Sequence, residues 1–238
     1  MKKQKIATVV TCCALVGAIA VGGTLALVSS QTKTITNKFT VGDGFDKDGS
    51  DFYIDEAKVK VDTSEGNFGG YIKDGEDRVA KNEYTLTAGT TIVKDPTMNL
   101  TAGTDKKFVP GWVVVKVSGL DTTKTSINDL TTGWKKVEAD GTYKDVVKVV
   151  TNPESETALT DGTYIYTTML TEEDPDVSLF NSLKVENAIY DGDGNAVTLS
   201  DLVVEAVAVQ AVKGEDGQYL GFDDVKDAVV AAANAQLD

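Results

Sequence analysis

The amino-acid sequence predicts an all-β protein, a jelly-roll-like antiparallel β-sandwich with a few short helices and a C-terminal helix. Short segments that alternate apolar and polar residues, or that are rich in valine, recur along the chain between glycine- and aspartate-rich turns. Apolar residues at sustained helical spacing occur in the last segment. Because no internal repeat or linker divides residues 43–238, we expect them to form one sandwich domain.

Two segments are the clearest strands. In the segment 112–117, Val113, Val115 and Val117 share one face and the intervening residues share the other. The segment 202–212 is apolar at nearly every position and contains five valines. Because β-branched residues fit a strand better than a helix, this segment is predicted to be a strand that is buried on both faces.

The C-terminal segment is predicted to be an amphipathic helix that begins near Asp223 or Asp224, where a carboxylate caps the first turn and interacts favourably with the helix dipole. Its apolar residues are Phe222, Val225, Val229, Ala232 and Ala233. Further strands are expected at 52–54, 57–61, 84–89, 90–96, 146–150 and 164–170, and helical turns at 126–130 and 178–183. The glycine-rich stretch 66–75 is expected to be a surface loop.

Residues 1–26 have the pattern of an export signal. Three lysines precede an apolar run from residue 6 to residue 28, and Thr24 and Ala26 supply the small residues that a signal peptidase needs for a cut between Ala26 and Leu27. We therefore expect a secreted protein, located in the extracellular matrix or at the cell surface. Two alternatives are a retained membrane anchor, since 23 apolar and small residues just span a bilayer, and a lipoprotein modified at Cys12.

Charge excludes two classes of partner. The formal net charge is −14, and removal of residues 1–26, which carry three lysines and no acidic residue, makes it −17. Such a chain repels nucleic acid and anionic membranes, so we expect neither as a partner after cleavage.

The absence of certain residue types excludes most enzyme chemistry. The chain has no histidine, and its two cysteines, Cys12 and Cys13, lie in the predicted signal. Ser-His-Asp and Cys-His catalysis and the common zinc sites therefore lack their bases or ligands. We expect no catalytic residue, no metal site and no cofactor, and a domain that folds without disulfides.

Residues 27–42 form an N-terminal segment that is predicted to contain a strand. Ile35, Asn37, Phe39 and Val41 would share one face, with Leu27–Gln31 as a short tether before them. Burial of the three large apolar side chains would contribute roughly 1.5–3 kcal/mol each. The strand either completes the sheet of its own domain or is donated to a neighbouring molecule.

Several segments, in order, resemble the secreted TasA/CalY (camelysin) proteins of Gram-positive bacteria. The matching elements are the signal ending Gly22-Gly23-Thr24-Leu25-Ala26, the segments Asn37–Gly42, Leu86–Gly89 and Ile92–Pro96 with Ala88 in place of the usual proline, the strand Trp112–Val117, Leu179-Phe180, and Ala206–Gln210. The resemblance implies a jelly-roll subunit of biofilm-matrix fibres, with a dedicated signal peptidase and an accessory matrix subunit as further partners. In such fibres, the N-terminal strand of one subunit completes the sheet of the next by donor-strand complementation. The alternatives are a monomeric secreted adhesin or binding module and, less favoured without histidine, a camelysin-like protease.

Three further patterns have simpler explanations. Asp191–Asn195 and Asp46–Asp51 resemble the start of a calcium loop, but each lacks the glycine and glutamate that complete one, and turn chemistry accounts for both. Six aromatic residues could together form a carbohydrate-binding face, but aromatic residues more often pack in a core. These residues are Trp112, Trp134, Tyr84, Tyr143, Tyr164 and Tyr166.

Overall fold

The computed structural model describes residues 29–32, 50–102, 108–189 and 201–237. Within these ranges the strands are, in chain order, β1 (Ser29–Thr32), β2 (Ser50–Val61), β3 (Tyr71–Val79), β4 (Thr91–Val93), β5 (Thr97–Ala102), β6 (Gly111–Ser118), β7 (Thr125–Ile127), β8 (Trp134–Val137), β9 (Tyr143–Val146), β10 (Glu156–Thr157), β11 (Gly162–Tyr166), β12 (Asp176–Ser178), β13 (Ser182–Val185) and β14 (Val203–Gln210). A short 3₁₀ helix spans Asn187–Ile189, and helix α1 spans Phe222–Leu237.

The strands form two seven-stranded sheets. Sheet 1 has the order β1-β14-β6-β11-β8-β9-β10, and sheet 2 has the order β12-β5-β2-β3-β4-β13-β7. Early strands lie beside late ones, as β1 does beside β14 and β4 beside β13, which is jelly-roll-like connectivity. The predicted all-β sandwich with a C-terminal helix is therefore confirmed. Both sheets are mixed rather than purely antiparallel, because β3 runs parallel to β4 and β9 runs parallel to β10.

The inner core lies between the two sheets. Side chains from one face of each sheet fill it, as the alternation of strand residues requires. Its fully buried members include Phe52, Met98 and Leu100 from sheet 2, and Val113, Val115, Tyr164, Ala206 and Ala208 from sheet 1.

An outer core lies between sheet 1 and helix α1. The opposite face of sheet 1 contributes Trp112, Val114, Ile165, Val207 and Val209, and the helix contributes Val225, Val229, Val230, Ala233 and Leu237. The Lys116 ammonium donates a hydrogen bond to the Leu237 carbonyl oxygen at 3.1 Å, where a cation complements the C-terminal end of the helix dipole. Sheet 1 is therefore covered on both faces, and the molecule has three layers.

The two predicted helical turns are wrong, because tertiary pairing makes parts of both segments strands and joins Leu130 to Phe180 in an isolated bridge. Thr125–Ile127 and Ser182–Val185 pair with each other in sheet 2, and the Asn128 amide continues the contact by donating to the Ser182 carbonyl oxygen at 3.0 Å. Asp176–Ser178 pairs with β5. Short segments with no strong local preference take the structure that their neighbours impose.

Other boundaries also differ from the predictions; the strand expected at 146–150, for example, ends at Val146. The expected loop at 66–75 gives way at Tyr71 to strand β3, which pairs with β2 across a register shift between Ala57 and Val59. The expected strand at 84–89 has an irregular backbone, because Thr85 donates its amide to the Tyr71 hydroxyl at 2.8 Å instead of to a strand neighbour. Side-chain acceptors here replace a backbone ladder.

Candidate assembly site at the sheet edges

The outer edge of β14 is covered by β1. Antiparallel pairing places Ser29 opposite Val209 and Thr32 opposite Ala206. Strand β1 therefore spans four of the eight residues of β14, whereas β6 pairs with all eight on the other side. Within the described residues, β6 therefore pairs with more of β14 than β1 does.

The centre of strand β14, from Ala206 to Val209, is apolar on both faces and fully buried, whereas Val203, Glu205 and Gln210 are partly exposed. Val204, Ala206 and Ala208 point into the inner core, and Val207 and Val209 point into the outer core, each with 0 % exposure. The predicted strand at 202–212, buried on both sides, is therefore confirmed. Packing against β6, sheet 2 and helix α1 holds β14 in place whether or not β1 is paired with it.

Withdrawal of β1 would leave a specific vacancy. Along Ala206–Val209, the backbone groups that face β1 would lose their partners at the rim of an otherwise complete sheet. An unpaired edge of this kind is a template for another strand, and added strands gain affinity from main-chain hydrogen bonds. The arrangement thus has the chemistry of a strand-binding site.

The edge of β3 provides a contrast. Strand β3 pairs with β2 at its two ends, Tyr71–Lys73 and Arg78–Val79, and meets β4 at a single position, Tyr71 opposite Ile92. Gly75 interrupts it with a φ of 76°. Apart from Ile72, its exposed side chains are charged, and Lys58 and Lys60 of β2 lie within 3.7 Å of the Asp74 carboxylate. Charges and an irregular backbone are features that prevent edge-to-edge association.

The predicted processing and donor-strand residues lie outside the described residues. These are Ala26 and Leu27 at the expected cut, and Ile35, Asn37, Phe39 and Val41 in the expected arm. The described part of the N-terminal segment is Ser29–Thr32. Its first three residues belong to the expected tether, and the structure places them in strand β1, paired with β14 of the same chain.

The candidate calcium loops are not brought into a described site. Asp191–Asn195 lies outside the described residues, and so do Asp46 to Gly49 of the second cluster, whose last residue, Asp51, lies in β2. Among the residues that the structure describes, no group of three or more acidic, histidine or cysteine side chains is arranged to hold a metal ion.

The aromatic residues are divided between the two cores instead of sharing one surface. Trp134 and Tyr164 are buried in the inner core, while Trp112 and Tyr143 contribute to the outer core. The Trp134 indole N–H donates to the Ser178 carbonyl oxygen at 3.1 Å and so links β8 to the opposite sheet. This arrangement agrees with the core-packing explanation.

A buried ion pair between Glu56 and Lys94 was missed by the sequence analysis. Glu56 is 1 % exposed and Lys94 is 7 % exposed. The Lys94 ammonium donates to Glu56 Oε2, and the backbone N–H of Asn82 donates to Glu56 Oε1 at 2.6 Å. Burial, followed by the negative charge of Glu56, raises the pKa of the neighbouring Tyr84 hydroxyl.

A second pair lies beside the first. Asp95 is 4 % exposed, and its carboxylate accepts hydrogen bonds from the Ala57 amide at 2.6 Å and from Arg78 Nη1 at 3.2 Å. Arg78 also donates to Asp55 Oδ1 at 2.6 Å. Desolvation lowers the pKa of Arg78, but the hydrogen bond and charge of Asp55, together with the charge of Asp95, outweigh it and raise the pKa overall.

These two pairs hold the middle of β2 against the corner between β4 and β5. The sequence signal for them was limited to Lys94-Asp95-Pro96, which we interpreted as the end of a strand and as a family-like element. The two residues of each pair are far apart in sequence. Lys94 follows Glu56 by 38 positions, and Asp95 follows Arg78 by 17. Sequence spacing alone does not indicate such pairs.

Comparisons with protein-family models, with curated proteins and with solved structures find no match to this chain. In the ranges that the structure describes, no helix has the length and apolar character needed to cross a membrane.

Proposed function

We propose that this chain is an exported, non-enzymatic structural protein of the TasA/CalY type, a subunit of extracellular matrix fibres assembled by N-terminal strand exchange. The observation that supports this most directly is the edge of β14. The segment Ala206–Val209 of β14, fully buried and apolar on both faces, is covered there by strand β1 of the N-terminal segment.

Cleavage after Ala26 would give this strand a nearly free end. Only Leu27 and Val28 would precede β1 in the mature chain. Because strands at chain termini are held by few contacts, β1 can leave β14 without disturbing the rest of the sheet. Before cleavage, the attached signal would restrict the same movement, so processing would also control when exchange begins.

Exchange of the N-terminal segment between copies adds one subunit after another. The donor segment and the β14 edge are different surfaces of one chain, so the contact is head-to-tail and extends into a filament when the rotation does not close a ring. Ile35, Phe39 and Val41 would add apolar side chains to the main-chain hydrogen bonds of the exchanged strand. The principal partner is therefore another copy of the chain, with an accessory matrix subunit as a further partner.

A second candidate function is a monomeric secreted adhesin or binding module. The observation that favours it is the pairing of β1 with β14 of the same chain, from Ser29 with Val209 to Thr32 with Ala206. A subunit that keeps this pairing has no vacant edge on β14 and therefore does not polymerise through it.

A disulfide between β1 and β14 distinguishes the two functions. Ser30 and Ala208 are directly opposite in the antiparallel register, and the mature chain contains no other cysteine after cleavage. The double variant Ser30→Cys, Ala208→Cys, starting at Leu27, should form filaments when reduced. It should remain monomeric when oxidised as a dilute monomer, because the bridge retains β1 in its own domain. Negative-stain microscopy and size-exclusion chromatography measure both states.

Two further samples complete the test. A chain lacking residues 27–42 should not form filaments, whereas Phe68→Ser, a change at a side chain that is 72 % exposed, should leave filaments unchanged. Filaments from the oxidised monomer with an intact intramolecular bridge would refute strand exchange. Monomers from the unmodified mature chain in all conditions would favour the adhesin.

A further inference from the structure

The ammonium of Lys94 and the carboxylate of Glu56 are close enough for a reaction between the two groups. Lys94 Nζ lies 2.5 Å from Glu56 Oε2, and both residues are almost completely buried. An amine held against a carboxyl group in a fixed orientation has an effective concentration far above that of the same groups free in solution. The two side chains belong to different elements, β2 and the corner after β4.

The surroundings of the pair match the needs of acyl transfer. The backbone N–H of Asn82 donates to Glu56 Oε1 at 2.6 Å, so it would stabilise negative charge that develops on that oxygen. The Tyr84 ring centroid lies 5.7 Å from Lys94 Nζ, and its hydroxyl is fixed by donating to the Val93 carbonyl oxygen at 2.9 Å. Exclusion of water favours condensation over hydrolysis.

We propose that Lys94 and Glu56 become joined by an isopeptide bond between Nζ and Cδ. A proton passes from the ammonium to the carboxylate, and the neutral amine then attacks Cδ. The negative charge develops on Oε1, which accepts a hydrogen bond from the backbone N–H of Asn82. Oε2 leaves as water with two of the three protons that Nζ carried, and the third remains on the amide nitrogen. The reaction uses no oxidant, cofactor or other reactant.

The bond would be a covalent cross-link in a domain that has no disulfide to serve that purpose. Both cysteines lie at positions 12 and 13, within the predicted signal. The cross-link would close a loop of 38 residues between β2 and the β4–β5 corner, which restricts the unfolded chain as a disulfide does. It is independent of the proposed strand exchange, because neither residue belongs to β1 or β14.

An exposed ion pair provides the comparison. Lys135 Nζ lies 2.6 Å from Asp145 Oδ1, nearly the same distance, but the Asp145 side chain is 57 % exposed. Water at such a site stabilises both charges and opposes condensation, so this pair should remain ionic. Burial, rather than the contact distance, therefore distinguishes the two sites.

The mass of the purified chain tests the proposal directly. After denaturation, the intact mass should be lower than the mass calculated from the sequence by one water molecule. Trypsin should yield one linked product that joins residues 48–58 to residues 82–106, with no cleavage after Lys94. An intact mass equal to the calculated one, with cleavage after Lys94, would overturn the proposal. Loss of water mapped to another site would do the same.

Three variants test which residues form the bond and which group leaves. Glu56→Gln should lose ammonia instead of water and give the same linked product as the unmodified chain. Lys94→Arg should show its full calculated mass. Lys135→Arg, the same change in the exposed pair, should retain the loss of one water. If Lys94→Arg proves too unstable to purify, the linked peptide of the unmodified chain still decides the question, because its detection requires no variant.

Discussion

Replacement of Val229 by alanine tests how strongly helix α1 is bound to sheet 1. Val229 lies near the middle of the helix, is 3 % exposed, and contributes to the outer core that also contains Val207 and Val209 of β14. The change removes buried apolar atoms without altering charge or hydrogen bonding. It therefore measures the packing that keeps β14 covered on its outer face.

The expected cost follows from three contributions. Loss of two buried carbon atoms costs about 1.6 kcal/mol, at roughly 0.8 kcal/mol each. The cavity left behind adds about 1 kcal/mol, because a packed core relaxes only in part. The higher helix propensity of alanine offsets about 0.6 kcal/mol of this. We therefore expect a loss of about 2 kcal/mol in the free energy of unfolding.

Urea unfolding followed by circular dichroism measures this loss, with Val149→Ala as the matched control. Val149 is 71 % exposed in the loop after β9, so the same change there should alter the free energy of unfolding by less than about 0.5 kcal/mol. The Val229→Ala midpoint should fall while the m-value stays constant. Equal midpoints for the two variants would refute the conclusion that α1 is an integral third layer.

Three other predictions concern single contacts. Gly119→Ala should destabilise the fold by about 2 kcal/mol more than Gly141→Ala in thermal unfolding. Both glycines have a positive φ, so alanine is strained at either position. However, a Cβ at Gly119 would lie 2.1 Å from the Asp201 carbonyl oxygen, whereas a Cβ at Gly141 would meet no other atom within 4 Å. Equal losses would contradict this. Arg78→Lys should cost about 1–3 kcal/mol in urea unfolding, because lysine cannot reproduce the forked contacts to Asp55 and Asp95, and an unchanged midpoint would contradict it. Asp121 should contribute to the loss of stability in acid: hydrogen bonds from Lys124 and then Thr123 lower its pKa from 3.8 to about 2, so its stabilisation is present above pH 4 and is lost as the pH falls towards 2. Asp121→Asn should make the fall in stability over that interval shallower, and an unchanged pH profile would contradict the assignment.

The most accurate sequence predictions concerned segments whose environment is the same along their length. The alternation in β6 placed Val113, Val115 and Val117 on one face, and the structure puts all three in the inner core. The opposite face, with Trp112 and Val114, packs against helix α1. A regular period is sufficient here because one face meets one layer throughout.

Predictions were wrong where long-range pairing determines the local backbone. Residues 178–183 include Leu179-Phe180 and were expected to be a helical turn, but Ser182–Val185 is held between β4 and β7. Nothing within the segment indicates those neighbours. A strand of three or four residues carries too few side chains to establish a period, so its structure depends on the sheet around it.

The candidate site could be predicted only in part. The strand at 202–212 was identified from its valines, but its weakly covered edge depends on the register between β1 and β14, which no local pattern contains. The Glu56–Lys94 pair was missed because lysine and glutamate are usually solvent-exposed, so neither residue suggested a core position. Ile35, Asn37, Phe39 and Val41 lie outside the described residues, and their role stays a prediction.

The unequal neighbours of β14 have a consequence for amide hydrogen exchange. In an antiparallel sheet, successive residues of a strand direct their N–H groups to alternate neighbours. Amides of Ala206–Val209 that donate to β6 are held by an eight-residue partner, whereas those that donate to β1 depend on a four-residue one. Local opening of β1 would expose only the second set, so protection should alternate from residue to residue along a single buried strand.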